Sequence, residues 1–338
     1  MRIRPVPLAL LLAGGIVVLA VAGVTIGSAS IDPPLVGRIL LHALLPERFP
    51  ADWAPGLERI VVDLRLPRVM LGILTGAGLA CVGVVLQAVT RNPLADPYLF
   101  GVSAGASVGA VIVIVHLGDL AGMLTLPIAA FLGAILSLFL VISVAAGSGG
   151  FGRDRLVLSG VAVSFVLMAL TNFLIFSGDQ RAAHSVVFWT MGGLGLAQWS
   201  LLPLPLVVVI LGLCMAQLSA RRLDALSLGD QAAASLGIDV ARLRVGLFAL
   251  CALLTGTLVA LVGSIGFVGL MIPHAVRALV GGRHAVVLPL AALMGALLVT
   301  GVDILARTLL APQELPIGII TGAVGGLFFV WLMRLRRI

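Results

Sequence analysis

The sequence predicts an all-α polytopic membrane protein with about ten transmembrane helices, and three observations carry that prediction. Of its 338 residues, 61% are hydrophobic and 10% are charged, with a mean hydropathy of +1.22; soluble chains carry about a quarter charged residues. Nine charge-free runs are long enough to cross a bilayer, since a span needs about 20 apolar residues at 1.5 Å each. The arginines gather in short clusters between these runs, the pattern of membrane orientation. In water so apolar a chain could not cover its own surface, whereas in lipid that requirement disappears.

Run 5–31 is too long for the apolar region of a signal peptide, although the small residues of Thr25–Ser30 leave cleavage open. The outer loop 32–66 has several prolines and mixed charges and predicts a short amphipathic helix. Run 69–90 contains Gly76, Gly78, Ala80 and Gly83, and run 97–118 repeats glycine at 101, 105 and 109. Such spacing lets helix backbones approach closely in lipid. Runs 120–152 and 156–178 each supply one span. Run 182–220 contains Gly192, Gly193 and Gly195, predicting a short helix or re-entrant piece near 186–196 followed by one full span. Run 245–276 breaks at Gly263-Ser264-Ile265-Gly266 into two helices, and runs 284–302 and 315–333 complete the ten. The chain reads as one transmembrane domain over 1–338.

Arg2 and Arg4 precede the first run, and Arg334, Arg336 and Arg337 follow the last, so both termini are expected to be cytoplasmic, which requires an even number of spans. Ten spans place 14 arginines inside and seven outside. Five of those seven lie in the first outer loop beside Asp32, Glu47, Asp52, Glu58 and Asp63.

All 21 basic residues are Arg. A phosphate-binding loop needs a Lys, so no cofactor is expected on this chain, and any ATP-Mg sits on a partner subunit. The net charge of +7 does not indicate nucleic acid, because it is distributed between apolar runs. Cys81, Cys214 and Cys251 lie inside those runs without metal-ligand spacing and read as small buried hydrophobes. No metal site is expected.

The inner loop 220–244 reads ARRLDALSLGDQAAASLGIDVARLR. Good helix formers at 230–236, bounded by Gly229 and Gly237, predict a short helix on the cytoplasmic face between spans six and seven. Alanines 232, 233 and 234 leave one side smooth, suited to a groove of another protein.

Four blocks, in order, resemble the FecCD-type permeases, which import ferric siderophores, haem and vitamin B12. They are Arg65-Leu66-Pro67-Arg68 with GVVLQAVTRNPLADPYLFGVSAGA at 83–106, SLGDQAAASLG at 227–237, GSIGFVGLMIPHAVRALVG at 263–281 and ELPIGIITGAVGGLFFVW at 314–331. The resemblance spans roughly 60–333. It implies a bacterial inner-membrane permease working as a homodimer, or as two similar permeases. The partners would be cytoplasmic ATP-binding-cassette ATPase subunits and an external, periplasmic or lipid-anchored, substrate-binding protein. It makes 230–236 the coupling helix, with Gly229, Ala232, Ala233, Leu236 and Gly237 as its ATPase-docking surface. Arg65, Arg68 and Arg307 would receive acidic residues of the binding protein. Ser159, Ser164, Asn172, Trp189 and Met191 become candidates for the path, and Arg153 with Asp154 mark its inner mouth. Arg181 and His184 are candidates for substrate contact at the outer mouth. The cargo would be an iron chelate, either ferric siderophore or haem, with cobalamin as the alternative.

Two other classes fit less well. An ion-coupled secondary transporter needs acidic groups at mid-bilayer, and Asp303 lies near a span end, one turn from Arg307; the two are expected to pair. An intramembrane protease needs a His-Glu-x-x-His pattern or a deep Ser–His pair. His116, His184, His274 and His284 all fall near span ends, so no catalytic residue is predicted. His274 and Arg277, in PHAVR, read as structural.

Overall fold

A computed structural model describes residues 3–27, 31–118, 120, 122–148 and 150–335, without the side chains of Leu99, Gln180, Arg181 and Leu335. The expectations placed on Arg2, Arg336 and Arg337 therefore lie outside the described residues. Among those described, every regular element is helical. Eight helical stretches are long and apolar enough to cross a membrane. They contain α1 (Pro5–Thr25), α4 (Leu66–Thr90), α6 (Thr125–Gly147), α7 (Arg153–Phe176), α9 (Pro203–Leu218), α12 (Val240–Val262), α14 (His284–Thr308) and α15 (Ile317–Leu335). Two shorter apolar helices occupy the positions of the other two expected spans: α5 (Val102–Val111), extended by a wider π turn to Leu117, and α13 (Val268–Val280).

The break expected at 263–266 is present. Gly263 (φ 67°) ends α12, and Phe267 stands in the left-handed region (φ 68°) before α13. Helix α8 covers Gln180–Met191 rather than 186–196. Gly192 takes φ 74° and ends it, a conformation that costs glycine little. After it, Gly193 N–H donates to Val262 O (2.8 Å) and Ile317 N–H to Gly192 O (2.9 Å). This loop is thus tied to the ends of α12 and α15, so its backbone groups are satisfied without water.

The outer loop contains the expected amphipathic helix, α2 (Pro33–Leu44), which buries Val36 and Ile39. Its last stretch is not loop. Helix α3 (Pro55–Glu58) and a π turn (Arg59–Arg65) run directly into α4. A π turn inserts one residue into the helical register, and both Val61 and Arg65 face inward there. Sequence spacing alone does not show this shift.

Helix α4 is the centre of the bundle and packs on α14, α12 and α13. Glycines permit the closest of these approaches. A Cβ on Gly76 would collide with the Gly295 carbonyl of α14, and one on Gly105 with the Gly133 carbonyl of α6. Helix α13 is joined to α4 by Gln87, whose side-chain amide donates to Gly269 O and Leu270 O (3.2 and 3.3 Å) and whose carbonyl accepts from Arg277. His274 of α13 meets Phe328 of α15 edge-on at 6.2 Å. Both residues of the PHAVR segment serve packing.

Between α4 and α5, Asp96 caps the short helical turn Pro97–Phe100 by accepting from Tyr98 N–H (2.9 Å). It is 7% exposed, and no cation pairs with it among the described residues. Burial pushes its carboxyl up to about 6. The folded state therefore holds this proton more tightly than the unfolded chain does. The contribution to stability is complete below about pH 4 and is lost as pH rises through about 6. Asp96→Asn keeps the capping acceptor and removes the charge. It should stabilise the protein by up to about 3 kcal/mol at pH 7.5 and change little near pH 4. Thermal unfolding in detergent at the two pH values measures the difference.

Candidate functional site

Helices α5, α7 and α8 form an open groove of about 450 Å³. Ser103, Ser107, Ser164, Thr171 and Thr190 contribute hydroxyl residues to its wall, and Tyr98, Val161, Phe165 and Met168 contribute apolar surface, the Tyr98 hydroxyl being buried. Among the described residues no charged side chain lines it. Ser164 and Thr171 turn their hydroxyls back onto Gly160 O and Leu167 O of their own helix (2.7 and 2.9 Å). Ser103 pairs with Ser264 at 2.7 Å. This leaves a wall with few free polar groups. The groove meets a second one of about 560 Å³ at Val161, lined by Arg91, Asn92, Arg153 and Asp154. One face of α7 thus carries a continuous trough, neutral along its length and charged at its first turn. Arg153 is held by Asp154 (2.7 Å).

Of the five path candidates, Ser164 lines the neutral groove. Ser159 is 4% exposed and faces into the bundle, because α7 turns that side to its neighbours. Asn172 is exposed beyond the groove. Trp189 lines a separate cavity of about 620 Å³ with Phe188 and Gln198; its indole N–H is buried without a partner among the described residues. Met191 is exposed at the end of α8. Sequence reasoning missed Tyr98, Ser103, Ser107, Thr171 and Thr190. The available signal was hydroxyls recurring on one face of α5 and α7, but it does not reveal which face the groove takes. His184 is exposed and lies against Phe188, with ring centroids 4.7 Å apart. The Arg181 side chain lies outside the described residues.

At the end of the bundle where α1 stops and α4 begins, the three arginines expected to dock a partner have internal partners. Asp303 of α14 is 2% exposed; it accepts from Arg68 Nε at 2.9 Å and lies 3.1 Å from Arg307 Nε. Arg307 also donates to Ile26 O and Gly23 O (3.2 and 3.0 Å). Arg65 donates to Val24 O and Thr25 O (2.8 and 2.9 Å). These carbonyls end α1 and have no helical donors of their own. The expected Asp303–Arg307 pair is present. Arg65 and Arg307 are 7% and 5% exposed, and both guanidinium groups face inward to cap α1. Arg68 reaches the surface through Glu314 (2.9 Å), which is half exposed.

The loop 220–244 contains α10 (Ala220–Leu228) and α11 (Asp230–Ser235). Gly229 and Gly237 bound α11 with φ 124° and 78°, the left-handed region where a side chain is strained. Asp230, first residue of α11, is gripped by both Nη2 contacts of Arg244 in α12 (2.9 and 3.0 Å) and by Arg91 at the end of α4 (3.4 Å). A carboxylate at a helix N-terminus is favoured by the helix dipole. Gln231, Ala234, Ser235, Leu236 and Gly237 are exposed, and Ala232 and Gly229 are half-buried. Ala233 is fully buried and fastens α11 to the bundle.

A bundle of long apolar helices with an uncharged groove along α7, charged at its first turn, is the architecture of a membrane permease. The chain belongs to the FecCD transport family, whose model matches residues 15–335. It is 39% identical to the hemin transport permease HmuU of Yersinia pestis over 82% of this chain and 84% of the relative. It is 41% identical to the cobalamin import permease BtuC of Halobacterium salinarum, over 82% of this chain and 74% of that one. Among solved structures it superposes with TM-score 0.83, at 32% identity and covering 96% and 98% of the two chains, on an inward-facing ABC transporter of inferred metal-chelate type. The chain is accordingly a permease subunit of an importer of this type.

Asp303→Asn leaves Arg68 and Arg307 buried against a neutral amide. The variant should lose about 3–5 kcal/mol, the usual result of removing one partner from a buried ion pair. Denaturant or thermal unfolding in detergent checks this, with Arg38→Gln as a surface control that costs under about 1 kcal/mol.

Proposed function

We propose that this permease carries an iron chelate, a ferric siderophore or haem, across the bacterial inner membrane. A separate ATPase pair drives it and an external binding protein delivers the cargo. The observation that carries this reading is the uncharged, hydroxyl-dotted trough along α7. Such a wall lets a bulky ligand slide without a tight site, and selectivity falls to the binding protein. An ion-coupled mechanism would need a free titratable group on that wall. Asp303, the most buried carboxylate near a span end, is instead neutralised by two arginines.

The trough is open on one side, and exposed Phe165, Val166 and Phe173 flank it. A second copy of the chain is the proposed closing wall. The exposed residues of α11, with Leu236 67% exposed, form the proposed ATPase-docking surface. On the outer face Arg68 and Glu314 are the pair that an incoming carboxylate can exchange with. Both chain ends are assigned to the cytoplasm, the side of α11. The Ile3 N–H to Leu279 O bond at 2.9 Å, near the end of α13, is consistent with that side.

Cobalamin is the second reading, favoured by the 41% identity to a cobalamin permease. Reconstitution with the cognate ATPase and binding protein, followed by competition between haem, a ferric siderophore and cobalamin, separates the two. ATP-dependent accumulation of the iron chelate is expected, and accumulation of cobalamin alone overturns the assignment. Gly237→Val, strained at φ 78°, should cut uptake at least about tenfold, a loss of 1.4 kcal/mol or more. Insertion should stay unchanged, and the strain of one residue in the left-handed region should lower the purified permease's stability by about 1–3 kcal/mol.

A further inference from the structure

A groove of about 600 Å³ lies between α9, α10 and the first turns of α12, away from the trough on α7. Met215 and Leu218 of α9 and Leu247 and Leu250 of α12 form its apolar wall. Met215 and Leu218 are 54% and 84% exposed, and they continue an exposed stripe through Leu204, Val207 and Leu211. No charged residue occurs from Pro203 to Leu218, so the groove opens onto the bilayer. Charge begins at its mouth, where Arg222, Arg242 and Asp239 stand. Arg222 is exposed and has no ion pair or hydrogen-bond partner among the described residues. Arg242 is 90% exposed and meets Asp239 at 3.1 Å, a surface pair that contributes little. The mouth therefore carries a net positive charge at the boundary between apolar and polar surface.

A second observation comes from Gly246, inside α12 on the groove wall. A Cβ built there meets no atom within 4 Å. Glycine is unfavourable inside a helix, and no neighbour requires it at this position. Its missing side chain deepens the groove.

We propose that this groove binds an anionic phospholipid of the leaflet on the α11 side. The guanidinium forks of Arg222 and Arg242 hold the phosphate, and an acyl chain lies along Met215, Leu218, Leu247 and Leu250. A zwitterionic headgroup brings its own cation toward two arginines and binds less well. Gly237 and Ile238 also border the groove, so the lipid braces the segment from which α11 hangs. This site does not depend on the cargo assignment, and it borders Gly237 of the proposed ATPase-docking surface.

The test titrates dioleoylphosphatidylglycerol into the full-length permease in neutral detergent and reads the thermal unfolding midpoint. A saturable rise is expected. Arg222→Gln, which removes a side chain without a partner, should weaken the apparent affinity about fivefold, and Arg222→Gln with Arg242→Gln about thirtyfold. Gly246→Phe keeps both arginines and fills the groove; it should abolish the lipid shift while keeping the native midpoint without lipid. The proposal is overturned if these variants titrate like the native chain, or if dioleoylphosphatidylcholine gives the same shift. It is also overturned if inorganic phosphate at equal concentration reproduces the shift, which would mark a free-anion site. Loss of the shift when the ATPase subunit is bound would assign the groove to that protein and overturn it as well.

Discussion

Asp303 sits where three spans meet, and its buried carboxylate pairs with two guanidinium groups that are largely withdrawn from solvent. An unpaired charge in this setting costs several kcal/mol. Pairing with Arg68 binds α4 to α14, and pairing with Arg307 leaves that side chain free to donate its remaining protons to α1. Arg65 makes the same kind of contact from the start of α4. The C-terminal carbonyls of α1, unable to find water or further helix, are capped by positive groups that its dipole favours. The π turn before α4 follows from this arrangement, since it brings Arg65 inward at the required position.

The opposite end follows the same physical rule with a different result. Asp230 is held by Arg244 and Arg91, which joins α11 to α12 and to the end of α4. Arg244 also donates to Phe151 O (3.3 Å), between α6 and α7. Helix α11 is thus joined, through α12, to α5, which lines the trough, and to α6. Fixed charges are concentrated at the two ends of the molecule. Between them the groove wall is neutral, with Ser164 and Thr171 turned onto their own helix and Ser103 paired with Ser264. Rigid, paired ends and an unpaired smooth middle suit a permease that must move its halves without gripping its cargo.

Much of the fold was legible because lipid enforces simple rules. Charge-free runs had to become helices, since backbone groups have no other way to be satisfied in hydrocarbon. Gly229 and Gly237 marked the limits of α11, and the small residues at 76 and 105 marked close helix contacts. The site was less legible. Ser159 and Ser164 are five residues apart on one helix, yet one faces the bundle and the other the groove. Ala233 and its neighbours on either side share a composition, but Ala233 alone is fully buried. Arg65 and Arg307 looked like surface cations because they lie at span ends.

The sequence by itself determined that the chain crosses a membrane many times, where its spans break, and which family it resembles. Those features depend on local composition and short motifs. Tertiary structure alone decided the partners of the arginines, the face of α7 that opens into the trough, and the continuity of the outer loop with α4. Arg65 meets carbonyls about 40 residues away and Arg68 a carboxylate 235 residues away. A guanidinium group pairs with whatever the packed helices bring to it, and no local pattern encodes that neighbour.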